Sequence, residues 1–255
     1  MDTGSPLFAV GPTCRHDQPP SAVCRLPSAL FRQNAGIDTQ VVIVGGGPAG
    51  LLLSHLLHLG GVESVVLERQ TRQHVMERIR AGVLEFGTTR VLRDAGLGER
   101  MLREGFIHRG VAIAFGERVL RIDFKEATDK YVTIYGQTEV QKDLFAAADA
   151  RGALVIDQVE DVEIHDADTE SPSVTFVRGG ERERVGTVFV AGCDGSHGVS
   201  RETIPLQVIR TFERDYPFGW IGVLAETPPV SNELIYANSQ RGFALCSMRN
   251  PHLSR

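Results

Sequence analysis

The sequence falls in the α/β class: a parallel βαβ unit at residues 40–68, followed by short alternating stretches that build sheet. Three observations carry this. Gln40-Val41-Val42-Ile43-Val44 is an apolar run of strand length that enters Gly45-Gly46-Gly47-Pro48-Ala49-Gly50 and then Leu51-Leu52-Leu53. A second apolar run, Ser64-Val65-Val66-Leu67, ends in Glu68, 18 positions after Gly50. Beyond residue 110 several stretches place apolar residues at every second position, the period of a half-buried strand. Strand, helix and strand within about 30 residues form a crossover unit whose right-handed connection sets the strands parallel.

The first strand, residues 40–44, leads into a helix from Pro48 to about Leu59 that stops at Gly60-Gly61. Strand two is Ser64 to Glu68, and Arg69 to His74 is polar and loop-like. Helical patterns follow from about Leu84 to Ala95 and from Glu99 to Glu104, each ended by a glycine (Gly96, Gly105). Val111 to Phe115 and Val119 to Phe124 read as a hairpin turning at Gly116-Glu117. Val132 to Gln137 is a strand entering a helix with Val140, Leu144, Phe145 and Ala148 on one face. Strands are expected at 155–157, 161–165 and 174–177, and one buried strand at 185–191 that runs into Gly192-Cys193-Asp194-Gly195. From residue 208 the spacing predicts strands at 218–225, 234–237 and 242–249, the last two joined by a turn at 238–241. Three strands with no covering helix make a poor core, so this sheet is expected to be unfinished, its C-terminal part missing.

With 42% hydrophobic and 23% charged residues, the 255-residue chain has the composition of a globular protein that buries a core. A formal net charge of −5 argues against a nucleic-acid surface, which would be basic. No run approaches the roughly 18–20 apolar residues of a membrane span. Cys14, Cys24, Cys193 and Cys246 are scattered, which fits a reducing compartment and a cytoplasmic location, with neither a disulfide framework nor a metal site. Residues 1–38, broken by Pro6, Pro12, Pro19, Pro20 and Pro27, are expected to be a disordered extension. The expected division is then 39–207 for a nucleotide-binding domain and 208–255 for the start of a second, β-sheet domain.

Four clusters carry possible chemistry. Gly45, Gly47 and Gly50 fit G-x-G-x-x-G/A: a tight turn, a close approach to pyrophosphate, and close packing of helix on strand. Glu68 stands where an acid accepts hydrogen bonds from a ribose. Asp194-Gly195, followed by His197 and Arg201, lies at the carboxyl end of a buried strand and reads either as a turn or as a ligand wall. Arg78 and Arg80 suit a phosphate or carboxylate, or form a solvated basic pair. Ser247 and Arg249, on one side of a strand by period 2, suit a carboxylate, and Tyr236 on the neighbouring strand is a candidate proton relay. An edge-strand arginine and a core tyrosine account for the same pattern.

Together these stretches resemble the flavoprotein aromatic hydroxylases, in the branch that acts on 4-hydroxybenzoate. The stretches are Val44 to Leu53, Leu67-Glu68-Arg69-Gln70, Arg78 to Glu85, Tyr135 to Val140, Ala191 to Gly195, Tyr216 to Trp220, Glu233 to Asn238 and Arg241 to Ser247. The resemblance implies an FAD-binding Rossmann-like βαβ domain followed by a substrate-binding sheet. It assigns Gly45, Gly47, Ala49, Gly50, Glu68, Arg78, Ile79, Arg80, Ala81, Gly82, Val83, Gln137, Asp194 and Gly195 to FAD, and Arg69, Gln70, His197 and Arg201 to NADPH. It gives Ser247, Met248 and Arg249 to the carboxylate of a small aromatic acid, and Tyr236 to its 4-hydroxyl as the catalytic residue. The implied reaction is hydroxylation of 4-hydroxybenzoate to 3,4-dihydroxybenzoate with NADPH and O₂, in enzymes that are often homodimers. The family's third motif, a Gly-Asp that binds the ribityl chain, has no counterpart here. The isolated chain is therefore expected to be unstable and not to hydroxylate; 4-hydroxybenzoate-dependent NADPH oxidation with product at an enzymatic rate would refute that. Another FAD or NAD(P)H oxidoreductase, and a non-catalytic nucleotide-binding remnant, are the alternatives.

Overall fold

A computed structural model describes residues 37–78 and 80–255. Most of the expected extension at 1–38, and Ile79, lie outside the described residues.

The centre is a parallel sheet in the order Phe189–Gly192, Val41–Val44, Ser64–Leu67, Leu154–Ile156. Both faces of Val41–Val44 are covered, which is why its sequence is continuously apolar rather than alternating. Val41, Ile43 and Val66 point to a helical layer with Leu51, Leu144 and Phe145. Val42, Val44, Val65 and Leu67 point the other way, against Val174, Phe176 and Val185 of a second sheet. That sheet runs Ile37–Asp38, Glu181–Gly186, Ser173–Arg178, Glu160–His165.

The helix Pro48–Leu59 and the helix Glu99–Glu104 have the expected bounds. The helix Gln137–Ala150 buries Val140, Leu144, Phe145 and Ala148 as its period requires. The hairpin Gly110–Phe115 and Arg118–Asp123 forms around the expected turn at Gly116-Glu117.

Several expectations are corrected. The loop at 69–74 contains the start of a helix, Arg72–Glu77, which buries no residue and so leaves no apolar period; Thr71 caps it by accepting from His74 N at 3.2 Å. The helix expected from Leu84 starts at Phe86, because Val83–Leu84 pairs with Val132–Ile134 instead. The single strand at 185–191 is two strands in two sheets. The chain breaks at Thr187 and Val188, where the Gln40 carbonyl accepts from Thr187 Oγ1, Val188 N and Phe189 N. An apolar run records burial, not the sheet in which it is buried. Residues 218–225 form no strand. The only pairing there among the described residues is a bridge from Ala225 to Ser254, and Trp220 is 73% and Ile221 91% exposed. The strand expected at 242–249 ends at Cys246 and resumes as Met248–Asn250, because Ser247 exchanges both backbone hydrogen bonds with Arg255.

The strand Leu234–Ser239 adds in parallel to Gly110–Phe115 and carries Gly242–Cys246 on its other edge. Residues 234–246 therefore share one four-stranded sheet with the hairpin at 110–123. The turn between them is narrower than expected, since Ser239 pairs with Gly242. Among the described residues no helix is long and apolar enough to cross a membrane.

Candidate functional site

The glycine loop lies at the carboxyl end of Val41–Val44, where an open parallel sheet receives ligands. Gly45 has φ +108°, and a Cβ there would sit 2.7 Å from Asp194 N, because the Cys193-Asp194 backbone crosses directly over it. A Cβ on Gly50 would overlap the Gly45 carbonyl oxygen, so helix and loop pack backbone to backbone. A Cβ on Gly47 would meet nothing within 4 Å. The open side of the loop is thus at Gly47, and Ala49 beside it is exposed. Gly47 supplies no side-chain cap and Pro48 has no N–H. Among the described residues the Gly47 and Ala49 N–H groups donate to no acceptor within the protein. Two free donors at the positive end of a 12-residue helix suit a phosphate.

Glu68 is half-buried beside this opening. Its Oε2 accepts from Gly46 N at 2.7 Å and its Oε1 from Gln70 N at 2.8 Å. Each oxygen keeps a second lone pair, enough to accept from a ribose hydroxyl. Arg69 is exposed next to it. Asp194 closes the other side; its Oδ2 accepts from Ser200 N at 3.0 Å and so starts the short helix Val199–Glu202. Gly195 has φ +81°, which releases the chain from the sheet. Arg201 is turned toward the Ser196 carbonyl and Thr211 Oγ1, and His197 is exposed. The fold therefore brings the Cys193-Asp194 backbone against Gly45, while Arg201 donates to two neighbouring oxygens.

Of the remaining candidates, Arg80 and Arg249 line a cavity of about 540 Å³ together with Tyr135, Gly136 and Leu224 among others. The backbone of residues 81–84 pairs with 133–137: Tyr135 N donates to Gly82 O at 2.8 Å and Gln137 N to Ala81 O at 3.1 Å. Arg249 Nη2 donates to Arg80 O at 2.8 Å, and its guanidinium fills the space where a Cβ on Gly82 would be. Burial lowers the Arg249 pKa, and neighbouring Arg255 adds to the effect. A desolvated guanidinium next to a second one favours an anionic guest. Arg78, Arg80, Ala81 and Val83 are exposed and Gln137 is half-buried. Met248 is buried, and Ser247 is half-buried with its backbone paired to Arg255.

Tyr236 does not line this cavity. It lies in a cross-strand row Leu245, Tyr236, Ile113, Leu120, whose members share one face of the four-stranded sheet. Phe243 stacks beside it at 6.0 Å and Trp220 meets Phe243 edge-on at 5.7 Å. The face is apolar and aromatic, and Tyr236 is 38% exposed on it.

Three groups escaped the sequence reading. Tyr135 is buried and donates its hydroxyl to Asp143 Oδ2 at 2.7 Å. Burial and this carboxylate push its phenol well above the ordinary range. Arg100 binds the same carboxylate at 2.6 Å and Glu139 as well, and stands 5.4 Å over the Tyr135 ring. The second is His108, 1% exposed with neither ring nitrogen hydrogen-bonded among the described residues. The third is Gln141, buried against the glycine loop. The one signal for the first group was the acid pair Glu139 and Asp143, four apart on a helix face; nothing in the chain pointed to Arg100 as their partner.

The chain matches the family described as FAD binding domain over residues 38–255. It is 47% identical over 220 residues to p-hydroxybenzoate hydroxylase of Acinetobacter baylyi, covering 86% of this chain and 54% of that protein. It is 25% identical over 228 residues to 3-(3-hydroxy-phenyl)propionate/3-hydroxycinnamic acid hydroxylase 1 of Burkholderia vietnamiensis, covering 86% of this chain and 34% of that one. Among solved structures, p-nitrophenol 4-monooxygenase from Pseudomonas putida superposes with a TM-score of 0.68 at 18% identity, over 87% of this chain and 57% of that one, which speaks to the fold alone. The chain thus spans about half the length, or less, of the curated relatives it matches. A phosphate-ready glycine loop with Glu68 and Asp194 as its flanks, on a fold matched along nearly all the described residues, places the chain in the FAD-binding family of the flavin-dependent aromatic hydroxylases.

Proposed function

We propose that this chain forms the FAD- and substrate-binding part of an NADPH-dependent hydroxylase that converts 4-hydroxybenzoate to 3,4-dihydroxybenzoate. The observation that carries the reading is the 47% identity over 220 residues, 86% of this chain, to a p-hydroxybenzoate hydroxylase. FAD, when bound, supplies the electron transfer and oxygen chemistry.

The protein's own residues bind and orient. The Gly47 and Ala49 N–H groups hold the pyrophosphate and Glu68 the ribose. Residues 78–83 with Gln137 flank the flavin, and Asp194-Gly195 closes the site on the side where Arg69, Gln70, His197 and Arg201 meet NADPH. Arg249, Ser247 and the Met248 backbone hold the substrate carboxylate. Arg249 suits this role because it is poorly solvated and has no acidic partner among the described residues. The face of Leu245, Ile113 and Leu120 packs on the substrate ring and excludes water, and Tyr236 relays a proton: its oxygen accepts the 4-hydroxyl proton as its own hydroxyl proton passes to water. Losing that proton raises electron density at the ring carbon to be hydroxylated. A homodimer and a cytoplasmic location complete the reading, and 39–207 and 208–255 are its proposed functional division.

The test is spectroscopic. Purified chain is titrated with FAD and then with 4-hydroxybenzoate while flavin absorbance is followed. The reading expects a yellow complex whose spectrum shifts on adding 4-hydroxybenzoate, and a shift lost in Arg249→Gln. A flavin complex indifferent to 4-hydroxybenzoate overturns the substrate assignment.

A further inference from the structure

Gly46, the middle residue of the glycine loop, is gripped by side chains at both of its backbone polar groups. Its N–H donates to Glu68 Oε2 at 2.7 Å, and its carbonyl accepts from Gln141 Nε2 at 2.9 Å. Gln141 comes from the helix Gln137–Ala150, 95 residues further along the chain, and is 2% exposed. Its other amide atom, Oε1, is buried with no partner among the described residues. An unmet buried acceptor works against folding, and an apolar side chain of the same volume would avoid it. Core packing alone therefore does not account for an amide here. What the amide does is fix one carbonyl.

That carbonyl belongs to the Gly46–Gly47 peptide. The unit is planar and trans, so its C=O and N–H point in opposite directions. Drawing Gly46 O inward to Gln141 turns Gly47 N–H outward, toward the open side of the loop. Glycines on both sides of this bond give the peptide little intrinsic resistance to flipping. Glu68 fixes the preceding peptide through Gly46 N–H and leaves the Gly46–Gly47 plane free.

We propose that Gln141 is a positioning residue for the FAD pyrophosphate: by fixing the Gly46–Gly47 peptide it presets the Gly47 N–H that a phosphate oxygen uses. The proposal rests on the FAD reading of the glycine loop. Preset donors bind more tightly because the ordering is done before the ligand arrives.

The test compares wild type, Gln141→Met and Gln141→Glu. Calorimetry gives Kd for FAD and for ADP, which shares the pyrophosphate, and the thermal midpoint of the ligand-free protein is measured alongside. Gln141→Met keeps the volume and removes the donor. Its Kd for both ligands is expected to rise about tenfold, with the ligand-free midpoint equal to or above wild type. Gln141→Glu adds a readout that packing would not give. A carboxylate cannot donate to Gly46 O and a protonated carboxyl can, so its affinity, relative to wild type at each pH, tightens as pH falls. An unchanged Kd in Gln141→Met, a loss confined to FAD, a matching fall in the ligand-free midpoint, or a pH-independent Gln141→Glu overturns the role of Gln141 and leaves the FAD reading standing. A wild-type chain that binds neither ligand overturns the FAD reading and the proposal with it.

Discussion

Replacing Arg100 with Gln should destabilise the protein by about 2–3 kcal/mol, although the residue touches no proposed ligand. Its guanidinium ties the helix Glu99–Glu104 to the helix Gln137–Ala150 through Asp143 at 2.6 Å, Glu139, and the Glu139 carbonyl at 2.8 Å. A hydrogen bond to a charged group contributes about 1.5–3 kcal/mol when desolvated, and an exposed ion pair about 0.2–1. The side chain of Arg100 is 27% exposed and that of Asp143 18%, so the network lies between these limits. Removal also leaves two carboxylates four residues apart with no shared cation, and Asp143 still holding the Tyr135 hydroxyl. At about 2–4 °C per kcal/mol for a chain of this size, the midpoint of thermal unfolding at pH 7 should fall by about 4–12 °C. Arg103→Gln is the control: on the same helix its bridge to Glu99 is 59% and 94% exposed, and its loss should stay within about 0.5 kcal/mol. A cycle with Asp143→Asn should give a coupling energy above about 1 kcal/mol. An Arg100→Gln midpoint no lower than that of Arg103→Gln, or a coupling near zero, would refute the reasoning.

Gly45→Ala should cost about 2–4 kcal/mol and abolish FAD binding, because it forces an L-residue to φ +108° and a Cβ to 2.7 Å from Asp194 N; chemical denaturation and flavin titration read the two effects. Burial lowers the His108 pKa, with Glu233 opposing, so the folded state binds this proton less readily than the unfolded one. Its stabilising contribution is complete above the unfolded value of about 6.5 and is lost as pH falls from there toward the lower folded value. Unfolding midpoints measured between pH 7.5 and 5 should therefore drop, and the drop should be smaller in His108→Leu. Glu139 titrates lower: burial opposes ionisation, but Lys142 and Arg100 hold its carboxyl below the usual range. Its stabilising contribution is full above the unfolded carboxylate pKa of about 4.3, and Arg100→Gln should diminish the loss seen as pH falls below that. Tyr236→Phe should bind 4-hydroxybenzoate within about threefold of wild type while losing any pH-dependent shift of the bound phenol's ultraviolet absorbance, since one hydroxyl bond at a half-exposed site contributes little to affinity.

Much of the nucleotide half was legible because its determinants are local. Gly50 answers a steric demand met five residues away at the Gly45 carbonyl, and Glu68 is carried to the loop by the strand after one helix, whereas the demand on Gly45 comes from the distant Cys193-Asp194 backbone. The later sheet was less legible. Residues 218–225 alternate like a strand, yet among the described residues only Ala225 finds a neighbouring backbone, at Ser254. Residues 185–191 read as one run, yet the Gln40 carbonyl divides them between two sheets. Period 2 puts Ser247 and Arg249 on one strand, yet the strand breaks at Ser247, whose backbone pairs with Arg255.

The sequence by itself determined the βαβ unit, the glycine loop and the helix bounds at 48–59 and 99–104. These follow from covalent spacing, side-chain volume and 3.6-residue periodicity, all contained in a short window. Only the tertiary structure decided that residues 234–246 extend the hairpin at 110–123, that Arg249 reaches the Arg80 carbonyl 169 residues away, and that Gln141 grips Gly46. A strand is defined by the backbone beside it, and a buried polar side chain by the partner that replaces its water. Chain closure brings both from distant parts of the sequence.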